Sequence, residues 1–313
     1  MAGQAFVYPG QGSQKPGMGQ MVLEALPEIS AEVFDRAGEV TGMDIRALCL
    51  EADAEQLQRT DRTQPALYVM SWIIHRGLIE AGARPAAVAG HSLGEYTALT
   101  AAGVLDFDEG LRLVRRRGEL MHAVAETTPG SMAAVMGVEV DELGRRCAEA
   151  STETDPVEIA NDNGAGQVVV AGTVSAVEAL SAALAGRDDV RVVALKVGAP
   201  FHCSLMRPVE REFAVDLQAA TFRDPSIPVI ANATAAPVTT GQEAREALTR
   251  QLAGRVRWRE SMRRLAADGI DSALEVGPGR VLSGLIGRCE PSIAAASTHD
   301  ARRIAKALAA SGT

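Results

Sequence analysis

Ala86-Ala87-Val88-Ala89-Gly90-His91-Ser92-Leu93-Gly94-Glu95-Tyr96 decides the fold. The small apolar residues before Gly90 read as a short buried strand, and Gly94 to Ala102 resumes as a helix. Between them, Gly90-His91-Ser92-Leu93-Gly94 matches G-x-S-x-G in the strand–turn–helix setting of a nucleophile elbow. The glycines are there for space, because side chains beside a serine on so sharp a turn would strike the strand or the helix. The helix N-terminus also aims backbone N–H groups at the serine, which favours a developing anion. A glycine-flanked serine that merely caps a helix fits the same letters.

Outward from this stretch the chain alternates short strands and helices. Phe6 to Tyr8 is a strand stopped by Pro9-Gly10, and residues 65 to 80 place Leu67, Met70, Ile74 and Leu78 at helical spacing before Gly82. Val229 to Ala231 and Ala273 to Val276 read as two more buried strands, the second entering Gly277-Pro278-Gly279 and a further helix. This alternation predicts a parallel sheet covered on both faces.

The middle of the chain breaks the rhythm. Ser131 to Gly137, Val157 to Ala160, Gln167 to Ala171 and Val190 to Val197 read as strands, with helices at Asp141 to Ala150 and Ser175 to Ala185. Asn161-Asp162-Asn163-Gly164 reads as a turn. The order βαββαβ is ferredoxin-like. The expected organisation is a large α/β domain, residues 1–127 and 199–313, with a small inserted subdomain at 128–198.

Composition narrows the function. The 313 residues are 47% hydrophobic with a net charge of −9 and no long basic stretch, so nucleic acid is an unexpected partner. Cys49, Cys147, Cys203 and Cys289 are scattered without a CxxC pair, which suggests neither a zinc site nor a disulfide framework. The N-terminal residues lack the pattern of a signal peptide, and no run approaches the length of a membrane span, so a cytoplasmic protein is expected.

A serine nucleophile needs a base. His75 and His122 fall in predicted helices, His91 should point away at an elbow, and His299 lies near the C-terminus. His202 follows Ala199-Pro200-Phe201 in a loop after the insert, where a scaffold commonly carries catalysis. In an elbow the N–H of Leu93 supplies one oxyanion donor, and an early loop supplies the second, for which Gln11 in Pro9-Gly10-Gln11-Gly12 is the candidate. Taken alone, that loop reads better as a plain glycine turn after the first strand.

Gly90 to Tyr96 closely resembles the nucleophile motif of the malonyl-CoA:acyl carrier protein transacylases and of discrete polyketide synthase acyltransferases. Val7 to Gln14, Thr63 to Leu67, Arg116 to Met121, Gly166 to Gly172, Pro200 to Met206 and Glu275 to Gly279 are similar to further motifs of that family in order and spacing. The resemblance covers essentially the whole chain. It implies an α/β-hydrolase-like fold with a ferredoxin-like insert, and malonyl transfer to a carrier protein through acyl-Ser92 with His202 as base. A main-chain carbonyl near Gln251 would take the place of a triad aspartate. Gln11 and Leu93 would form the oxyanion hole. Arg117, the arginine before Gly118, would hold the malonyl carboxylate with two parallel hydrogen bonds, as lysine cannot. Gln64 and Gln251 match pocket glutamines.

Phe201 departs from the serine common in bacterial stand-alone transacylases; malonyl-selective polyketide acyltransferases often have phenylalanine there in an Ala-Phe-His ending, so Pro200-Phe201-His202 mixes the two styles, and a ring there would crowd a branched α-carbon or simply pack the loop. No cofactor or metal is implied beyond the CoA thioester substrate, and a monomer acting as a separate protein is expected. Fatty acid and polyketide pathways stay open, as do methylmalonyl or other acyl groups and hydrolysis of acyl carrier proteins. Arg255, Arg257, Arg259, Arg263 and Arg264 crowd one segment and offer either a patch for an acidic carrier protein or a solvated helix face.

Overall fold

A computed structural model of the chain describes residues 3–164, 166–195 and 197–312. Its strands are β1 Gly3–Tyr8, β2 Ala87–Gly90, β3 Ser131–Met136, β4 Val157–Asp162, β5 Gln167–Gly172, β6 Arg191–Ala194, β7 Val229–Ile230, β8 Pro237–Val238, β9 Ile270–Glu275 and β10 Ala294–Ser297. Six of them form one sheet in the order β10-β9-β1-β2-β7-β8, parallel except for the antiparallel β7–β8 pair.

The period-2 geometry of a strand sends alternate side chains to opposite faces. Phe6 and Tyr8 of β1 enter one apolar cluster with Val88 and Leu274; Ala5 and Val7 enter another with Ala87, Ala89 and Ala273. Helices cover both clusters, so the central strands read as unbroken apolar runs rather than alternating ones. Since β1 and β2 are paired with Tyr8 opposite Gly90, the loops leaving their carboxyl ends lie side by side. Ligands of open α/β sheets bind at such an edge.

The second sheet is antiparallel, in the order β4-β5-β3-β6. This is the ferredoxin-like arrangement. Ala133, Val135, Val168 and Val170 pack against Leu143, Val177 and Leu180 of the helices Val140–Ala150 and Val174–Leu184. Their neighbours Met132, Ala134, Val169 and Ala171 face the other way and join the large cluster of the main sheet. One face of the small sheet therefore carries its helices and the other closes over the large sheet's edge.

The structure differs from the sequence expectation at several elements, and adds helices such as Pro27–Thr41, Arg207–Ala219 and Ala301–Ser311. The helix expected over 65–80 begins at Thr60, with Pro65 inside it; proline marks a helix start only by preference. Asn161 and Asp162 belong to β4 rather than to a turn, held there by a parallel bridge to Val256 across the subdomain boundary. Among the described residues the last strand of the insert runs Arg191–Ala194, short of the expected Val190 to Val197, of which Lys196 lies outside the described residues. β8 and β10 carry no strand signal in the sequence, because Pro237-Val238 is too short and Ala294-Ala295-Ala296-Ser297 lacks the β-branched residues that mark a strand.

Candidate active site

Ser92 sits at the turn between β2 and the helix Gly94–Ala101 with φ of 51°, a left-handed conformation that costs a non-glycine residue roughly 1–2 kcal/mol. Three contacts hold it there. Its N–H donates to Asn232 Oδ1 at 2.6 Å, Asn232 Nδ2 donates to Gly90 O at 2.6 Å, and Gln251 Nε2 donates to Ser92 O at 3.0 Å. The flanking glycines are obligatory. A Cβ on Gly90 would stand 1.9 Å from Gly94 C, and one on Gly94 would stand 2.0 Å from Tyr8 O.

Of the five histidines, His202 meets the serine: its Nε2 is 2.7 Å from Ser92 Oγ. It too has a left-handed backbone, with φ of 61°. Its loop is tied to β4, where Glu158 accepts from the Ser204 N–H at 3.2 Å. His202 Nδ1 lies 2.9 Å from Gln251 O and 3.2 Å from Gly254 O. Carbonyls only accept, so Nδ1 carries the proton and the Nε2 lone pair faces the serine hydroxyl. Burial, and then the Arg117 guanidinium, push the His202 pKa down to about 3, so the imidazole is neutral at pH 7 and free to accept a proton.

The other histidines go elsewhere. His75 is buried beside Tyr8 Oη, 2.8 Å from its Nδ1. His91 points to Asn163 Oδ1 at 2.9 Å. His122 lies in the helix Phe107–Thr127, and His299 pairs with Asp300 near the C-terminus.

The run Arg115-Arg116-Arg117 shows how helical rotation selects one residue of three. Arg115 pairs with Glu119 and Arg116 with Glu212 and Asp216 on the surface. Arg117 turns inward, 1% exposed. Gly118 permits this, since a Cβ there would stand 3.0 Å from the Thr60 carbonyl of the crossing helix. Arg117 Nη2 donates to Ser92 Oγ at 2.9 Å and to Gln251 Oε1 at 3.1 Å, while Nη1 donates to Gln64 Oε1 at 2.7 Å. The Tyr96 ring lies beneath it, 5.6 Å from the guanidinium carbon.

A cavity of about 420 Å³ opens onto these groups. Its floor includes Gln11, Ser92, Leu93 and Arg117, and Met132, Ala134 and Val169 of the small sheet form part of its wall with Phe201. The N–H groups of Leu93 and Gln11 make no hydrogen bond within the protein among the described residues. Gln64 and Gln251 depart from the expectation of pocket residues: both are buried behind Arg117 and present their amide oxygens to it instead of lining the cavity.

Sequence reading missed Asn232 and Glu95. Asn232 follows β7 at the same sheet edge, and Glu95 stands inside the quoted elbow motif. Glu95, 1% exposed, accepts from Gln251 Nε2 at 2.6 Å and from the Asn232 N–H at 3.2 Å; burial raises its pKa to about 7. The arginine segment also differs from a free positive patch. Arg255 and Arg257 pair with Glu260, Arg264 with Asp268, and Arg259 with buried Asp162 of β4. Arg259 therefore fastens the small sheet to the large domain.

Comparison with known proteins gives the family. Residues 5–297 match the acyl transferase domain family. The chain is 41% identical over 305 residues to the malonyl CoA-acyl carrier protein transacylase of Escherichia coli (strain K12), covering 97% of this chain and 98% of that protein. It is 37% identical to the enzyme of the same name from Bacillus subtilis (strain 168), over 97% of this chain and 96% of that one. The crystal structure of the malonyl-CoA:acyl carrier protein transacylase of Xanthomonas oryzae superposes with a TM-score of 0.94 at 41% identity, covering 99% of this chain and 98% of that one. A malonyl-transacylase solved in complex with a type II polyketide synthase acyl-carrier protein gives 0.92 at 38% identity, over 99% and 100% of the two chains. With that identity along nearly its whole length, the chain belongs to the acyl transferase family that includes the malonyl CoA-acyl carrier protein transacylases.

Proposed function

We propose that this chain moves a malonyl group from malonyl-CoA to the phosphopantetheine thiol of an acyl carrier protein, through an ester on Ser92. The observation that carries the reading is the buried Arg117 guanidinium at the nucleophile, 2.9 Å from Ser92 Oγ. A buried cation beside a nucleophile suits a substrate that brings its own carboxylate and offers nothing to an uncharged acyl chain.

The reaction then runs in two halves. His202 Nε2 takes the hydroxyl proton as Ser92 Oγ attacks the thioester carbonyl. The Leu93 and Gln11 N–H groups receive the oxyanion. Collapse breaks the C–S bond, and the His202 Nε2 proton leaves with the CoA thiolate. In the second half the carrier thiol gives its proton to His202 and attacks the malonyl ester. Breakage of the C–O bond returns that proton to Ser92 Oγ. Throughout, the Gln251 and Gly254 carbonyls accept from Nδ1–H and steady the imidazolium, the part an aspartate plays in a triad. The scheme uses protein groups alone, with the CoA thioester as substrate.

Phe201, 9% exposed on the cavity wall, would disfavour an α-methyl branch on the acyl group. The cleft between the large domain, residues 1–127 and 199–313, and the small subdomain, 128–198, would admit the phosphopantetheine arm. Among the described residues no helix is long and apolar enough to cross a membrane; we read the enzyme as a cytoplasmic monomer, to be checked by fractionation and sedimentation. The direct test mixes the protein with malonyl-, methylmalonyl- and acetyl-CoA and reads intact mass. Malonyl addition to wild type and none to Ser92→Ala is expected, and a labelled Ser92→Ala protein would end the scheme at its first step.

A further inference from the structure

The four polar residues Arg117, Gln64, Thr60 and Gln11 form an unbroken hydrogen-bonded chain. Arg117 Nη1 donates to Gln64 Oε1 at 2.7 Å, Gln64 Nε2 donates to Thr60 Oγ1 at 2.8 Å, and Thr60 Oγ1 donates to Gln11 Oε1 at 2.8 Å. Its polarity is forced from one end. A guanidinium can only donate. Gln64 must therefore turn its oxygen to Arg117 and its amide N–H to Thr60. The Thr60 hydroxyl accepts that bond, so its single proton is left for Gln11, which must present its oxygen.

Arg117, Gln64 and Thr60 are all buried, whereas Gln11 is exposed on a glycine-flanked loop between Gly10 and Gly12. For the Gln11 side chain, the Thr60 hydroxyl is the hydrogen-bond partner among the described residues. Thr60 is the first residue of the helix Thr60–Glu80, and Gln64 stands one turn along it. The same rigid element thus grips the buried arginine with one residue and the exposed loop with another.

We infer that Thr60 is a positioning residue: through its hydroxyl it fixes the loop that carries the Gln11 N–H, and sets that donor in register with the Arg117 guanidinium. The inference rests on the acyl-Ser92 reading. Without the hydroxyl the clamp keeps its Gln64 and Gln251 contacts, and the loop loses its anchor. The defect should appear in the rate of acylation rather than in substrate binding, and for charged and uncharged acyl groups alike.

The experiment compares Thr60→Val, which keeps the shape and removes the hydroxyl, with Thr60→Ser, which keeps the hydroxyl. Single-turnover acylation of each by malonyl-CoA and by acetyl-CoA is followed by intact mass, beside wild type, with melting temperatures recorded. Thr60→Val should lose about tenfold in the acylation rate constant with both donors, the cost of one unmade hydrogen bond to a transition-state donor's support, at nearly unchanged half-saturation. Thr60→Ser should recover most of it. An unchanged rate in Thr60→Val, a loss that Thr60→Ser shares in full, or a loss confined to malonyl half-saturation would each overturn the inference. If wild type itself forms no acyl-serine, the transferase reading fails instead, so the two failures are separable.

Discussion

Replacing Arg117 with alanine should invert the acyl preference of the enzyme. In the free protein the guanidinium is held by Gln64 Oε1 and Gln251 Oε1, both oxygens, while the two amide nitrogens are committed to Thr60 and to Glu95 and Ser92. A malonyl carboxylate entering Arg117→Ala would therefore face two carbonyl oxygens in a buried site, with no donor to receive it. Removing one partner of a buried charge pair costs about 3–5 kcal/mol. At about 1.4 kcal/mol per tenfold, that is roughly two to four orders of magnitude in kcat/KM for malonyl-CoA. Acetyl-CoA brings no carboxylate and escapes this loss. It also gains, because the Arg117 charge is the second cause of the depressed His202 pKa, and its removal makes the imidazole a stronger base. Rapid-quench acylation with labelled malonyl-CoA and acetyl-CoA measures both rates on one preparation. The malonyl-to-acetyl ratio should collapse, with Arg117→Lys intermediate because a point charge replaces a two-pronged donor. An unchanged ratio in Arg117→Ala would refute the clamp.

The same burial predicts an acid limb of kcat/KM well below the ordinary histidine range, since His202 stays neutral down to about pH 3; Arg117→Met should move that limb upward, and a limb fixed in place would show that the arginine does not act on His202. Phe201→Ser should relax discrimination against methylmalonyl-CoA by about 1–3 kcal/mol, read from specificity ratios, and equal ratios would assign the ring to loop packing. Arg259→Glu should weaken folding by about 3 kcal/mol in urea titration, because Asp162 is buried against it at 2.8 Å; full stability in the variant would mean the ion pair does not fasten the small sheet.

Local chemistry made much of this protein legible in its residues. The elbow needs glycines where a Cβ would strike backbone at about 2 Å, so Gly90 and Gly94 announce the turn on their own. Alternating apolar strands and amphipathic helices announce two sheets of different type, because the periods of 2 and 3.6 are set by backbone geometry within a few residues. Even the strand order of the insert follows from its βαββαβ rhythm.

Contacts between distant residues were decided elsewhere. Ser92 and His202 are 110 positions apart, and nothing local to either histidine or serine states their 2.7 Å separation; the imidazole is aimed by the Gln251 and Gly254 carbonyls, a further 49 and 52 positions along the chain. Arg115, Arg116 and Arg117 are the same residue type in one helix, and only the packing of that helix against Thr60–Glu80 turns the third inward. Asn232 and Glu95 gain their parts from neighbours 137 to 156 residues away. The arginines near Trp258 fit a positive patch or a solvated helix face by sequence, and their carboxylate partners, one of them on the small sheet, come into place only in the fold. A chain declares its backbone through short-range sterics, whereas the charge and hydrogen-bonding state of a side chain depends on what the tertiary packing brings within 3 Å of it.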